Sequence, residues 1–175
     1  LAIITAGLSK RQQFGQPVHT WEPAGLPETK NQAQLYQTVE MIMKTDLFTV
    51  LESDLIDFVA NIMNWQNIRY VPVENDKGNL TGLVSSKNLM AYFAKKFSND
   101  ASVSVAEIMT KDLHAVTPET KSTDALHLLR EHNIGCLPVV RGDKLVGLVT
   151  ERDFMTVAEV IFREAENQRQ TEAFE

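Results

Sequence analysis

The sequence predicts a mixed α/β (α+β) fold of two pseudo-symmetric repeats, each running strand, helix, strand, strand, helix. Three observations carry this expectation. The heptad GLVSSKN, Gly82 to Asn88, returns as GLVTERD, Gly147 to Asp153, each time just past a hairpin-like stretch. Setting Pro72 over Pro138 also sets Val39 over Val105, Ile42-Met43 over Ile108-Met109, Asp46-Leu47 over Asp112-Leu113 and Asn67-Ile68 over Asn133-Ile134. The period is longer than a solenoid unit and occurs only twice, which favours a facing pair over an array.

The elements of each copy follow from local pattern. After IMxxDL comes a short strand, expected over Phe48 to Val50 and His114 to Val116. A helix follows, with apolar residues at Leu55, Val59, Ile62 and Met63, or at Ala125, Leu128 and Leu129 together with His132. Ser53 and Ser122 are the expected N-caps. RYVPV and GCLPVV are apolar enough for buried strands, and the turns NDKGN and RGDK lead to the second strands NLTGLV and KLVGLV. Each heptad then enters another helix. The expected boundaries are 1–35 for a linker or the remnant of an upstream domain, 36–98 and 99–162 for the two repeats, and 163–175 for a helical extension. The first residue is Leu1, and the opening thirty residues are rich in Gln, Pro and Gly, so a module belonging to a longer protein is expected.

Composition narrows the function classes. With 175 residues and 43% hydrophobic content, the chain can bury a proper core. Seventeen basic against twenty-three acidic residues give a net charge of −6 with no basic block, which argues against a nucleic-acid backbone as partner. No apolar run approaches the length of a membrane span, and a lone cysteine, Cys136, excludes an intramolecular disulfide. A cytoplasmic protein without a membrane partner is the expectation. His127 and His132 are five apart and no Cys or His pair has zinc spacing, so no metal is expected. No nucleophile stands with a base and an orienting group, so no catalytic residue is expected and the module is not read as an enzyme.

The markers IM..D, N-I....PV and G-h-x-[ST]-x-x-[ND], recurring in order from about Val39 to Phe162, resemble the cystathionine-β-synthase (CBS) domain, and the two copies together resemble a Bateman module. That resemblance implies a regulatory module, with an adenosine-containing nucleotide (AMP, ADP or ATP) in clefts between the repeats as regulatory ligand and no obligatory cofactor. It also implies a homodimer acting on an attached or partner effector domain. Carried over residue by residue, one cleft would comprise Thr150, Arg152, Asp153 and Leu148 facing Ile68 and Arg69, with Thr45 and Asp46 nearby. The other would comprise Ser85, Lys87, Asn88 and Leu83 facing Ile134 and Gly135, with Lys111 and Asp112.

The heptad itself admits two compatible readings. T-x-x-D after a strand is a helix N-cap, with Thr150 capping and Asp153 reaching back. The same groups could serve a ligand: free N–H groups and the helix dipole for phosphate, and a carboxylate for both ribose hydroxyls. Lys87 and Arg152 place a cation in each first turn against the dipole, which favours an anion there. Two departures mark the clefts as unequal. Arg69-Tyr70 stands where the other copy has Gly135-Cys136, so Arg69 would either clamp a ligand or block its cleft. Asn88 stands in place of an acid, so the Asp153 cleft is expected to bind more tightly.

Overall fold

In the computed structural model, residues 36–95 and 103–172 are described, with side chains as far as Asn167. The expected linker at 1–35 and the last residues of the extension lie outside them. Strand β1 (Val50–Leu51) is followed by helix α1 (Ile56–Trp65), strands β2 (Tyr70–Glu74) and β3 (Leu80–Ser85), and helix α2 (Ser86–Lys95). The second copy has a short α3 (Val105–Ile108), then α4 (Ser122–Glu131), β4 (Cys136–Arg141), β5 (Lys144–Thr150) and α5 (Glu151–Glu172). A single 3₁₀ turn, Val39–Met41, stands before the first copy where α3 stands before the second.

In the first sheet β1 pairs parallel to β2, and β2 pairs antiparallel to β3 with Pro72 opposite Leu83. In the second, β4 and β5 form an antiparallel hairpin with Pro138 opposite Leu148, and the first strand shrinks to one parallel bridge between Val116 and Val139. Both first strands therefore sit later or shorter than the sequence suggested. Phe48 and His114 precede the pairing, and Pro118 beyond Val116 has no N–H with which to extend it.

The two helix ends explain why Asn-Ile recurs. Asn67 and Asn133 both have φ of 51°, the left-handed conformation that Asn tolerates better than most residues. Asn67 N–H donates to Asn64 O and Ile68 N–H to Met63 O; Asn133 and Ile134 repeat these bonds to Arg130 O and Leu129 O. This is the Schellman arrangement, which satisfies carbonyls orphaned at the helix end and turns the chain into the next strand.

The segment leading into each copy is donated to the other. Val39 is fully buried with Leu129, Leu137, Val139 and Val149 of the second copy, while Val105 is buried with Val59, Val71, Val73 and Val84 of the first. Backbone bonds fix the exchange: Ile56 N–H donates to Val103 O, and Ser122 N–H to Gln37 O. These two carbonyls also correct the expected caps. Helix α1 starts after Leu55 and α4 after Lys121, neither with a side-chain cap. The crossing backbone satisfies Ile56 N–H, which Ser53 was expected to serve, and the N–H of Ser122 itself, which is the first residue of α4 and not its cap. A third cluster, Leu83, Cys136 and Leu148 with Leu47, Tyr70 and Leu113 against it, draws on both copies.

Candidate functional site

Each heptad begins where a donated segment crosses a strand. Lys44 and Leu148 exchange backbone bonds of 2.8 and 2.9 Å, and Thr110 and Leu83 exchange bonds of 2.9 and 3.0 Å. The adjoining glycines make room for the crossing. A Cβ on Gly147 would meet Met43 Sδ at 2.6 Å and Lys44 O at 3.1 Å, and one on Gly82 would meet Met109 Cγ at 2.9 Å. Glycine there is thus explained by close approach of the exchanged segment.

The strand-to-helix junctions carry the chemistry. Asn88 Oδ1 accepts from Ser85 N–H at 2.8 Å and from the Ser85 hydroxyl, while Asn88 N–H donates to Ser85 Oγ at 3.2 Å. Asp153 Oδ2 accepts from Thr150 N–H at 2.8 Å and from Thr150 Oγ1 at 2.6 Å. In both copies the third residue on reaches back to the junction residue, as expected of Asp153, and in the first the Asn88 N–H also returns a bond to Ser85 Oγ.

A cavity of about 450 Å³ opens beside the Asn88 junction. It is lined by Leu83, Ser85, Lys87, Asn88, Asp112, Ile134 and Gly135, so this cleft's expected residues come together across the two repeats, with the exception of Lys111, which is exposed. Tyr70, Thr110, Leu113, His114, Asn133 and Cys136 line it as well, and sequence reasoning had not placed them in a site. Asn133 and Tyr70 adjoin recurring motifs, which is the signal that could have found them. The His114 ring stacks on His132 with centroids 3.7 Å apart. Burial pushes the Cys136 thiol far above its ordinary range, and the nearby Asp153 carboxylate adds to the effect. Burial also raises the Tyr70 phenol, with Cys136 and Glu151 adding and Arg69 opposing.

The Asp153 side is arranged differently. Asp153 is the one buried charged residue among those described, and its Oδ1 lies 3.3 Å from Lys44 Nζ. Leu148 is buried beneath and paired to Lys44, Ile68 packs against the first core, and Thr45, Asp46, Arg69 and Arg152 are exposed. The structure joins Thr150, Asp153 and Leu148 through Lys44, one residue before the expected Thr45. Among the described residues no cluster of three or more His, Cys, Asp or Glu could hold a metal ion, and no helix is long and apolar enough to cross a membrane.

The sequence model of the CBS domain matches residues 39–95 and 105–159. The chain belongs to the CBS domain family. Its two CBS domains form a tandem pair of the Bateman type, an α+β fold. A CBS-pair structure, the putative acetoin utilization protein AcuB from Vibrio cholerae, is 31% identical with a TM-score of 0.66, covering 74% of this chain and 96% of that one. CBSX2 in complex with AMP is 29% identical with a TM-score of 0.64, covering 71% and 98%. Inosine-5'-monophosphate dehydrogenase of Mycobacterium leprae is 34% identical over 140 residues, 79% of this chain and 25% of that enzyme. The chain spans about a quarter of the length of the curated relatives it matches.

Proposed function

We propose that this CBS pair is a regulatory module that senses an adenosine-containing nucleotide (AMP, ADP or ATP), bound in the cleft between the repeats, and modulates an attached or partner domain. The observation that carries the reading is the cavity. It sets the helix N-terminus at Ser85–Asn88 in one repeat opposite the Ile134-Gly135 strand start of the other. The N-terminus of α2 supplies a favourable dipole for phosphate with Lys87 beside it, and its Ser86 and Asn88 N–H groups, which donate to Arg69 O and Ser85 Oγ, would exchange partners to bind one. Asn88 Nδ2, in weak contact with Thr110, can donate to a ribose hydroxyl, while Asn88 Oδ1 accepts from one on exchanging its Ser85 hydroxyl partner. Leu83, Ile134 and the Gly135 backbone offer an apolar slot for a flat base. The relative solved with AMP shares this fold at 29% identity, which supports the same ligand class here.

The test is calorimetry and thermal shift with AMP, ADP and ATP, with Gly135→Ala as control. Ligand at 100 times its dissociation constant adds about 2.7 kcal/mol of stability. The new methyl would overlap the Tyr70 hydroxyl and lie 3.2 Å from Tyr70 Cζ. Tyr70 lines the cavity, so its forced displacement should weaken binding by about tenfold or more. No thermal shift with any of the three nucleotides would sink the proposal.

A second reading, a dimerisation module with degenerate clefts, is favoured by one observation. Phe58, Trp65, Met90 and Phe93 are exposed on α1 and α2 of the first repeat, whereas Asp124 and Glu131 stand at the places of Phe58 and Trp65 in the second. A homodimer through the first repeat's helices is compatible with nucleotide sensing, because none of Phe58, Trp65, Met90 and Phe93 lines the cavity.

A further inference from the structure

The two junctions share a backbone and differ in one crossing side chain. Lys44 occupies in one the place that Thr110 occupies in the other, and each is pinned by a pair of backbone bonds to Leu148 or Leu83. Around the cavity, Thr110 makes a weak neutral contact, 3.4 Å from Asn88 Nδ2. On the opposite side the Lys44 ammonium is 3.3 Å from a carboxylate whose side chain is 9% exposed. Asp153 thus has Oδ2 committed to Thr150 and Oδ1 to Lys44. Asn88 Oδ1 is committed to Ser85 in the same way, so what sets the Asp153 side apart is the Lys44 ammonium on its second carboxylate oxygen.

We infer that Lys44 is a specificity-determining residue: it bolts the Asp153 cleft, so that the module takes one adenosine-type ligand per chain, in the Asn88 cleft. The inference rests on the nucleotide-sensing reading above and adds to it which cleft works and what keeps the other shut. A ligand entering the Asp153 side must also displace the Lys44 ammonium from a mostly buried carboxylate, a charged contact that the Asn88 side lacks. A ligand entering the Asn88 side meets Ser85 bonds like those Thr150 makes on the other side, and beyond them only the neutral Thr110 contact. Met43 over Gly147 and the two Lys44–Leu148 bonds keep the base of the bolt from backing away. The Lys44 side chain is 62% exposed, so the ammonium is held by Asp153 rather than by packing, and removing it leaves the core intact.

The experiment counts AMP bound per chain by calorimetry and equilibrium dialysis. Wild type should bind one equivalent, and Lys44→Thr, which copies Thr110, should bind two. Lys44→Met keeps most of the stem and removes the charge; it should likewise bind two, and guards against a folding defect in the first variant. The added equivalent should disappear in Lys44→Thr/Asp153→Ala, while the first stays within about threefold of wild type. Two equivalents in wild type overturn the inference, as does one equivalent in both folded Lys44 variants. A loss of the first equivalent on removing Lys44 overturns it too, since the ammonium would then be a ligand contact. Wild type binding no adenosine nucleotide at all is a different failure, that of the sensing function itself.

Discussion

Replacing Asp153 by alanine should cost stability and leave nucleotide affinity nearly unchanged, the reverse of what its place in the heptad first suggests. The carboxylate holds Thr150 N–H at 2.8 Å, Thr150 Oγ1 at 2.6 Å and Lys44 Nζ at 3.3 Å, with 9% of its side chain exposed. Loss of a capping partner costs about 0.5–2 kcal/mol, and a net hydrogen bond to a charged group is worth about 1.5–3 kcal/mol. The Lys44 arm adds less than about 1 kcal/mol because that side chain is largely solvated. These terms overlap, since Thr150 supplies two of them, and a total of about 2–4 kcal/mol is expected. The melting midpoint should fall by on the order of 10 °C for a chain of this size. Asp153→Asn keeps an acceptor for Thr150, as Asn88 does for Ser85, and should cost only about 1 kcal/mol. Urea and thermal unfolding of the three proteins, each with an AMP titration, make the assay. A wild-type melt for Asp153→Ala together with lost AMP binding would refute the reasoning, because the carboxylate would then be serving ligand and not helix.

The duplication, the order of elements and the recurring Asn-Ile were legible in the sequence because each is a local pattern. A Schellman end needs a residue tolerant of positive φ followed by an apolar one, and both lie within a few positions of the helix they close. The exchange of leading segments was not legible. Val39 and Val105 look alike, and nothing in their neighbourhood says which core each enters. The missed caps follow from that same exchange, since Val103 and Gln37 supply from a distance the carbonyls that a local reading seeks in a serine. Lys44 was overlooked for a related reason. The resemblance carried over Thr45 and Asp46, while the antiparallel pairing that presents Lys44 to Asp153 is a three-dimensional fact. More of the residues expected on the Asn88 side come together, because they are contributed by short stretches whose relative placement the repeat already implies.

The first-repeat helix face predicts a homodimer, which Trp65→Glu should dissociate at tens of micromolar in sedimentation experiments; the opposite replacement, Glu131→Trp, should not be needed for wild-type association. A strictly monomeric wild type would dispose of that interface and leave the nucleotide cleft untouched. Alkaline stability offers a separate check on the cluster between the repeats. Cys136 is 3% exposed and its thiol is held far above its ordinary value of 9.0, first by burial and then by the Asp153 carboxylate. In the unfolded chain the thiol ionises near that ordinary value, while the native chain keeps the proton, so the unfolded state binds fewer protons above about pH 9. The thiol's contribution is therefore fully present below that pH and is lost as pH rises, at a limiting slope of about 1.4 kcal/mol per unit for one group. Tyr70, raised from 10.0, adds to the fall about one unit later. Cys136→Ala removes the thiol's share, so its stability should decline less steeply than wild type between about pH 9 and 10, even though the smaller side chain lowers the starting value. Parallel urea titrations at half-unit steps would show the two curves converging; curves that stay parallel over that window would mean that the thiol ionises as readily in the native chain as in the unfolded one, and that the contact between the repeats is wetter than the structure shows.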